Sequence, residues 1–250
     1  MIENKISIVI RTYNEKKHIK EVLESLTRQT YSNYEIIIVD SGSDDGTLEI
    51  ISRYEVMLVS IKKEDFNYSY ASNIGVTKAS GSIVCFLSGH SVPVHSDYLK
   101  KTNDLFQNKK IGACYGEVIA LQDGSFTEKM FNNIGYIKSR LTGSKDGIIL
   151  ENKIHPGIFS CSNASARKSL LDKFPFQEKL GSGGEDIEVA YRIIQNGYLV
   201  AKDSGLLVRH SHGKKFWAFI QEYKNWQKMY REVLDFLELS SDMGGNEYKN

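Results

Sequence analysis

Apolar residues in this chain fall into short unbroken runs separated by stretches of helical spacing. Residues 6–10 (Ile-Ser-Ile-Val-Ile) and 35–39 (Glu-Ile-Ile-Ile-Val) are nearly continuous hydrophobic segments, the pattern of strands buried on both faces of a parallel sheet. Between them Ile19, Val22, Leu23 and Leu26 recur at i, i+3, i+4 and i+7, one face of a helix, and Asn14 stands ahead of it as an expected cap. Further strands are expected over 56–61 and 83–87, with a short helix through Ile50 and Ile51 and another over 71–79. Strands alternating with helices predict an α/β domain with a mostly parallel sheet flanked by helices.

The second half reads differently. Residues 111–121 predict a long strand, 126–139 a helix with a basic end, and 143–157 a polar, mobile loop. Glu185 opens a helix in which Ile187, Ala190, Tyr191 and Ile194 share a face, and Asn196-Gly197 stops it. Residues 199–208 supply one or two more strands. From Lys214 a long amphipathic helix places Phe216, Phe219, Ile220, Tyr223, Trp226, Tyr230, Val233 and Leu237 on one stripe, and the tail after Ser240 is expected to fray. The expected organisation is a domain over 1–213 and a helical extension over 214–250.

Composition narrows the function. With 32 Lys+Arg against 31 Asp+Glu the net charge is +1, which gives no global field to favour nucleic acid. No apolar window is long enough to span a bilayer, and the N-terminus lacks the apolar core of a signal peptide. Cys85, Cys114 and Cys161 are odd in number and far apart, so they read as reduced, buried thiols. Together these features lead us to expect a cytoplasmic protein.

Ligands of open parallel sheets collect at the carboxyl ends of the strands, where loops converge and helix N-termini point. Three polar segments fall there: Arg11 to Glu15, Asp40 to Gly46, and Ser88 to Pro93. No GxGxxG or Walker-type loop is present, which argues against a dinucleotide oxidoreductase or a P-loop enzyme. A nucleotidyltransferase on a related sheet would need a basic, glycine-rich loop after the first strand, and Arg11 to Asn14 does not supply one.

The run Ser7-Ile8-Val9-Ile10-Arg11-Thr12-Tyr13-Asn14-Glu15, followed by Ile37-Ile38-Val39-Asp40-Ser41-Gly42-Ser43-Asp44-Asp45-Gly46-Thr47, resembles the opening of family 2 glycosyltransferases of the GT-A fold. Ser72-Asn73-Ile74-Gly75, Phe86 to Pro93, Ser162-Asn163-Ala164, Gly184-Glu185-Asp186-Ile187-Glu188 and Arg209-His210-Ser211-His212 continue the likeness in order. Phe66-Asn67-Tyr68 and the segment from Val208 to His212 look most like the rhamnosyltransferase-type branch that builds bacterial surface polysaccharides.

The resemblance implies a Rossmann-like sheet and an inverting transfer from a UDP- or dTDP-sugar to a glycan or lipid-linked acceptor. It places Thr12, Tyr13 and Glu15 in the nucleotide pocket, Asp40 on the base, and Asn73 beneath the nucleotide or donor. Asn163 would lie near the donor sugar or acceptor. Ser88-Gly89-His90 stands where the family carries Asp-x-Asp, so His90 replaces the metal-binding carboxylate. His210 and His212 resemble the histidine segment that closes over the same ion in many relatives. Mn²⁺ or Mg²⁺ would be held there, nitrogen ligands favouring Mn²⁺; metal-independent neutralisation of the diphosphate by Arg11, lysine or a protonated histidine stays open. Asp186, beside Glu185, would be the general base.

Taken singly, His90 is an ordinary turn histidine and Glu185-Asp186 an acidic helix start favoured by the dipole; only the ordered set argues otherwise. The missing Asp-x-Asp acids leave a second reading, a sugar-nucleotide-binding protein without turnover. The basic helix from Lys214 is expected to pack against its own domain or a second subunit, with peripheral contact with the inner face of a membrane as the alternative.

Overall fold

The computed structural model describes residues 3–142, 147–180 and 183–243. Nine strands form one sheet: β1 (Ile6–Thr12), β2 (Tyr34–Asp40), β3 (Met57–Ser60), β4 (Ile83–Ser88), β5 (Val92–Pro93), β6 (Ile111–Ile119), β7 (Ile148–Glu151), β8 (Asn163–Arg167) and β9 (Leu199–Arg209). Their order is β3-β2-β1-β4-β8-β6-β9-β5, with β7 added on β9. The first four strands are parallel throughout, in register Ile8↔Ile36 and Ile8↔Cys85. Beyond β4 the sheet is mixed: β8 lies antiparallel between β4 and β6, and β6 runs parallel to β9.

The helices are α1 (Ile19–Thr27), α2 (Thr47–Ile51), α3 (Tyr68–Lys78), α4 (Tyr98–Leu105), α5 (Phe126–Thr142), α6 (Lys168–Lys173), α7 (Glu185–Gln195) and α8 (Phe216–Met243). Alternation along β1 divides the core. Ile6, Ile8 and Ile10 join α1 and α4 on one face, while Val9 faces α3 and α7 on the other. Both faces are dry, and this is why β1, β2 and β4 read as unbroken apolar runs. Gly75 lets α3 settle on β1, since a Cβ there would come within 2.3 Å of Val9 Cγ1.

Several expectations are corrected. Asn14 does not cap α1: it sits at φ 54°, its amide is exchanged with Asp44, and the helix begins only at Ile19 after an uncapped His18. The segment expected as a mobile loop over 143–157 contains β7, paired to β9; its residues 143–146 lie outside the described part, as does the tail over 244–250. Asn163 opens strand β8, which the small polar run Asn-Ala-Ser-Ala-Arg did not announce. The middle of α8 packs on the main domain, with Val233 fully buried and Tyr230 donating to the Ile154 carbonyl.

Candidate active site

The carboxyl ends of β1, β2 and β4 converge, and side chains lock the loops that leave them. Thr12 Oγ1 donates to Asp40 Oδ1 at 3.0 Å, and Ser43 Oγ donates to the same oxygen. The N–H groups of Gly42 and Ser43 fill Oδ2. A carboxylate offers about four acceptor sites, so Asp40, only 1% exposed, is fully committed to its own loop. The expected direct contact of Asp40 with a base is therefore corrected, and Thr12, expected to line the nucleotide pocket, is tied to the same carboxylate. They form the floor of the pocket, and Tyr13, with Lys63 Nζ 4.8 Å from its ring centroid, is the exposed surface above it.

Three imidazoles gather beside this floor. His90 follows β4, while His210 and His212 follow β9, and one ring nitrogen from each lies within 4.8 Å of the others. The His90 and His210 rings stack at 4.6 Å, and His212 stands edge-on to both. His90 Nδ1–H donates to Glu15 Oε1 at 2.6 Å. That leaves Nε2 with its lone pair, buried and without a hydrogen-bond partner among the described residues. Burial, His90, His212 and Lys214 hold His210 well below the usual imidazole range, and burial with His90 and Lys214 lowers His212 as well. Both are thus neutral at pH 7, the form that ligates a cation.

The supports of this trio were not legible in the motifs. Gly89 is required because a Cβ would sit 2.5 Å from Glu15 Cγ, where the Glu15 chain crosses to His90. Ser88 Oγ pairs with Ser91 Oγ and fixes the turn. Glu128, at the start of α5, accepts from the N–H groups of His212 and Ser125 at 2.8 and 2.9 Å. Burial would raise its carboxyl, but the N–H groups of His212, Ser125 and Lys214 outweigh that and bring it below the ordinary range. A cleft of about 280 Å³ opens beside the trio, lined by Glu15, Lys17, His18, His90, Asp123 and His212 among others. Within it Asp123 pairs with Lys17 and faces His18.

Glu185 and Asp186 begin α7 on the same edge of the sheet. Arg11 is the hub. Its carbonyl accepts from Gly89 N at 3.0 Å, and its guanidinium reaches Glu185 Oε1 at 3.5 Å, Ser72 Oγ and the Tyr68 carbonyl. One residue therefore touches the neighbour of His90 on one side and the neighbour of Asp186 on the other. Burial and the adjacent Glu185 charge push the Asp186 carboxyl up to about 8, against the lowering effect of the Ile187 N–H and Arg11. Met229 and Val233 of α8 seat on Gly183 and Gly184, at positive φ, and so wall the approach to Asp186.

Of two expected ligand residues, one is anchored to the backbone and the other, Asn163, is corrected. Asn73 is anchored in a reciprocal pair with the Phe176 backbone, both bonds 2.9 Å; with Asn67 and Ser69 it clamps the segment leading to Glu185. Asn163 is 2% exposed. It accepts from Tyr98 and donates to the carbonyls of Glu117 and Leu206, cross-linking β8 to α4, β6 and β9. Asn163 has no free edge to offer a sugar.

In sequence and in fold the chain is similar to known proteins. Residues 7–174 match the family Glycosyl transferase family 2. The chain is 30% identical over 213 residues to O-antigen chain rhamnosyltransferase RfbN of Salmonella typhimurium, covering 83% of this chain and 67% of that one. It is 29% identical to O-antigen chain rhamnosyltransferase WbaN of Salmonella anatum, covering 82% and 66%. The chain thus spans about two thirds of these relatives' length. Among solved structures, mannosyltransferase PcManGT from Pyrobaculum calidifontis in complex with GDP-Man and Mn²⁺ superposes with TM-score 0.64 at 21% identity, over 87% of this chain and 59% of that one. TarS 1–349 of S. aureus in complex with UDP gives 0.63 at 20% identity, over 83% and 60%.

Proposed function

The chain belongs to glycosyl transferase family 2, and from that premise we propose that it moves a sugar, with inversion, from a UDP- or dTDP-sugar to a hydroxyl of a glycan or lipid-linked acceptor in bacterial polysaccharide synthesis. The observation that carries the reading is the Arg11 hub, which puts the imidazole trio and Asp186 on one edge of the sheet. An acceptor alcohol becomes an adequate nucleophile when a positioned base takes its proton as the oxygen attacks. Asp186, with its raised proton affinity, is that base. Its Oδ1 accepts the Ile187 N–H, Arg11 pairs with the adjacent Glu185, and no covalent enzyme intermediate is required. Tyr13 and Lys63 cover the nucleotide above the Thr12–Asp40 floor.

His90, His210 and His212 fit a divalent cation. The trio is neutral at two positions, the third presents an unpartnered buried nitrogen, and Glu15 is the carboxylate behind His90 that fixes its tautomer. Three imidazoles favour Mn²⁺ over Mg²⁺, and the complex of PcManGT with GDP-Man and Mn²⁺ supports the same choice. Such an ion supplies charge neutralisation for the departing diphosphate. Donor turnover by the wild-type protein, with Mn²⁺ and after EDTA, tests the reading. Loss of turnover in chelator and recovery with Mn²⁺ are expected; unchanged turnover in EDTA removes the metal and leaves Arg11 to neutralise the diphosphate. Tight donor binding with no turnover across acceptors would instead make this a sugar-nucleotide-binding protein.

A further inference from the structure

On the surface of α5 runs a stripe that the site does not use. At 100° per residue Phe126, Met130, Ile134, Ile137 and Leu141 fall within an arc of about 80° along some 25 Å of helix. All five are exposed, Phe126 at 80% and Leu141 at 81%. A contiguous apolar face of this kind marks a contact surface. Lys129 lies on one side of the stripe and Lys138 on the other, both exposed. The only acid in α5, Glu128, is buried against His212 and offers nothing to the surface.

The start of α8 adjoins this stripe. Ser125 Oγ donates to the Lys214 carbonyl, which ties the two helix starts together next to Phe126. Trp217 is 79% exposed, and Lys224 shares its side of the α8 helix at the same 100° spacing, while Lys228 there is paired with Glu232. An apolar face edged by lysine and carrying an exposed tryptophan has the chemistry of a helix lying in a lipid interface.

We propose that α5, together with the first turns of α8, docks the protein on an anionic bilayer surface. Charge decides between this occupant and a second copy of the chain. In an antiparallel symmetric dimer through the stripe the Lys129 edges of the two copies would face one another, whereas acidic headgroups neutralise them. Among the described residues no helix is long and apolar enough to cross a membrane, so the contact is peripheral. The docking stands on surface chemistry alone and holds whether or not sugar transfer does. If transfer does hold, the Glu128–His212 link sets the docked face beside the cation site, where an acceptor carried on a lipid would arrive.

Vesicle flotation tests it, using phosphatidylcholine alone and phosphatidylcholine with about 30% phosphatidylglycerol at low salt, a composition that supplies the negative surface potential required. Binding is expected to the anionic vesicles only, and to fall steeply as salt is raised. Ile134→Ser with Ile137→Ser should abolish it, and Lys129→Gln should weaken it about fivefold. These side chains are solvent-exposed, so both variants should retain the wild-type melting temperature. Equal binding to neutral and anionic vesicles, or no binding to either, overturns the proposal. So does a lipid-free dimer that the double variant converts to monomer. Donor turnover in detergent-free buffer without vesicles reports separately on the transferase reading.

Discussion

Replacing Asp186 by Asn should make the protein more stable and, at the same time, inactive. The fold keeps this carboxyl protonated up to about 8, against 3.8 for an ordinary aspartate, through burial and the Glu185 charge. Between those two values the unfolded chain has released a proton that the folded chain still holds, so stability falls as pH rises through the window and levels off above it. Each pH unit within the window costs at most about 1.4 kcal/mol, or about 4 kcal/mol between pH 5 and pH 8. Asp186 keeps some solvent contact and accepts the Ile187 N–H. About half of that, 2 kcal/mol, is therefore the expected effect.

An amide in the same place cannot ionise, so Asp186→Asn should gain this difference, raising the melting temperature by about 4–8 °C more at pH 8 than at pH 5 for a chain of this size. Donor binding should be unchanged, while transfer falls by about 10²–10⁴-fold, the usual contribution of a general base. In the wild-type protein kcat/KM should climb with pH along an acidic limb that ends near 8, and the residual rate of the variant should lack that limb. Thermal melts at the two pH values and a pH–rate profile are sufficient. A variant whose stability gain does not depend on pH would show that the carboxyl is not held in its neutral form, and near-normal transfer would remove Asp186 from the chemistry.

Three further outcomes are expected. Glu15→Gln keeps the shape but weakens the carboxylate behind His90, and calorimetric titration should find Mn²⁺ affinity lower by about 10–100-fold. Gly89→Ala forces a methyl against Glu15 Cγ, so it should weaken Mn²⁺ similarly and cost about 1–3 kcal/mol in urea unfolding; wild-type affinity would refute the crossing geometry. Asn163→Ala strands the Tyr98 hydroxyl and two carbonyls, so it should destabilise by about 3 kcal/mol with donor KM unchanged, whereas a KM effect at unchanged stability would return Asn163 to the ligand.

The first four strands and the helices among them could be read from the sequence because both faces of that sheet are buried, which writes burial directly into unbroken apolar runs such as 6–10 and 35–39. The candidate positions His90, His210, His212 and Asp186 came only from the ordered likeness to family 2 glycosyltransferases, since taken singly they read as turn histidines and an acidic helix start. The sequence alone thus determined the parallel half of the fold, the family likeness and the histidines that stand where carboxylates are expected. Tertiary structure alone decided which polar side chains remain available. Asp40, Asn73 and Asn163 look like ligands in one dimension, yet in three Asp40 is filled by its own loop and Thr12, while Asn73 and Asn163 are anchored by partners 43 to 103 residues away. Glu15, Glu128 and Arg11 acquire their roles from those same long-range contacts. A hydrogen bond is a relation between two places in space, and local pattern records only the burial of each residue, not the partner that satisfies it.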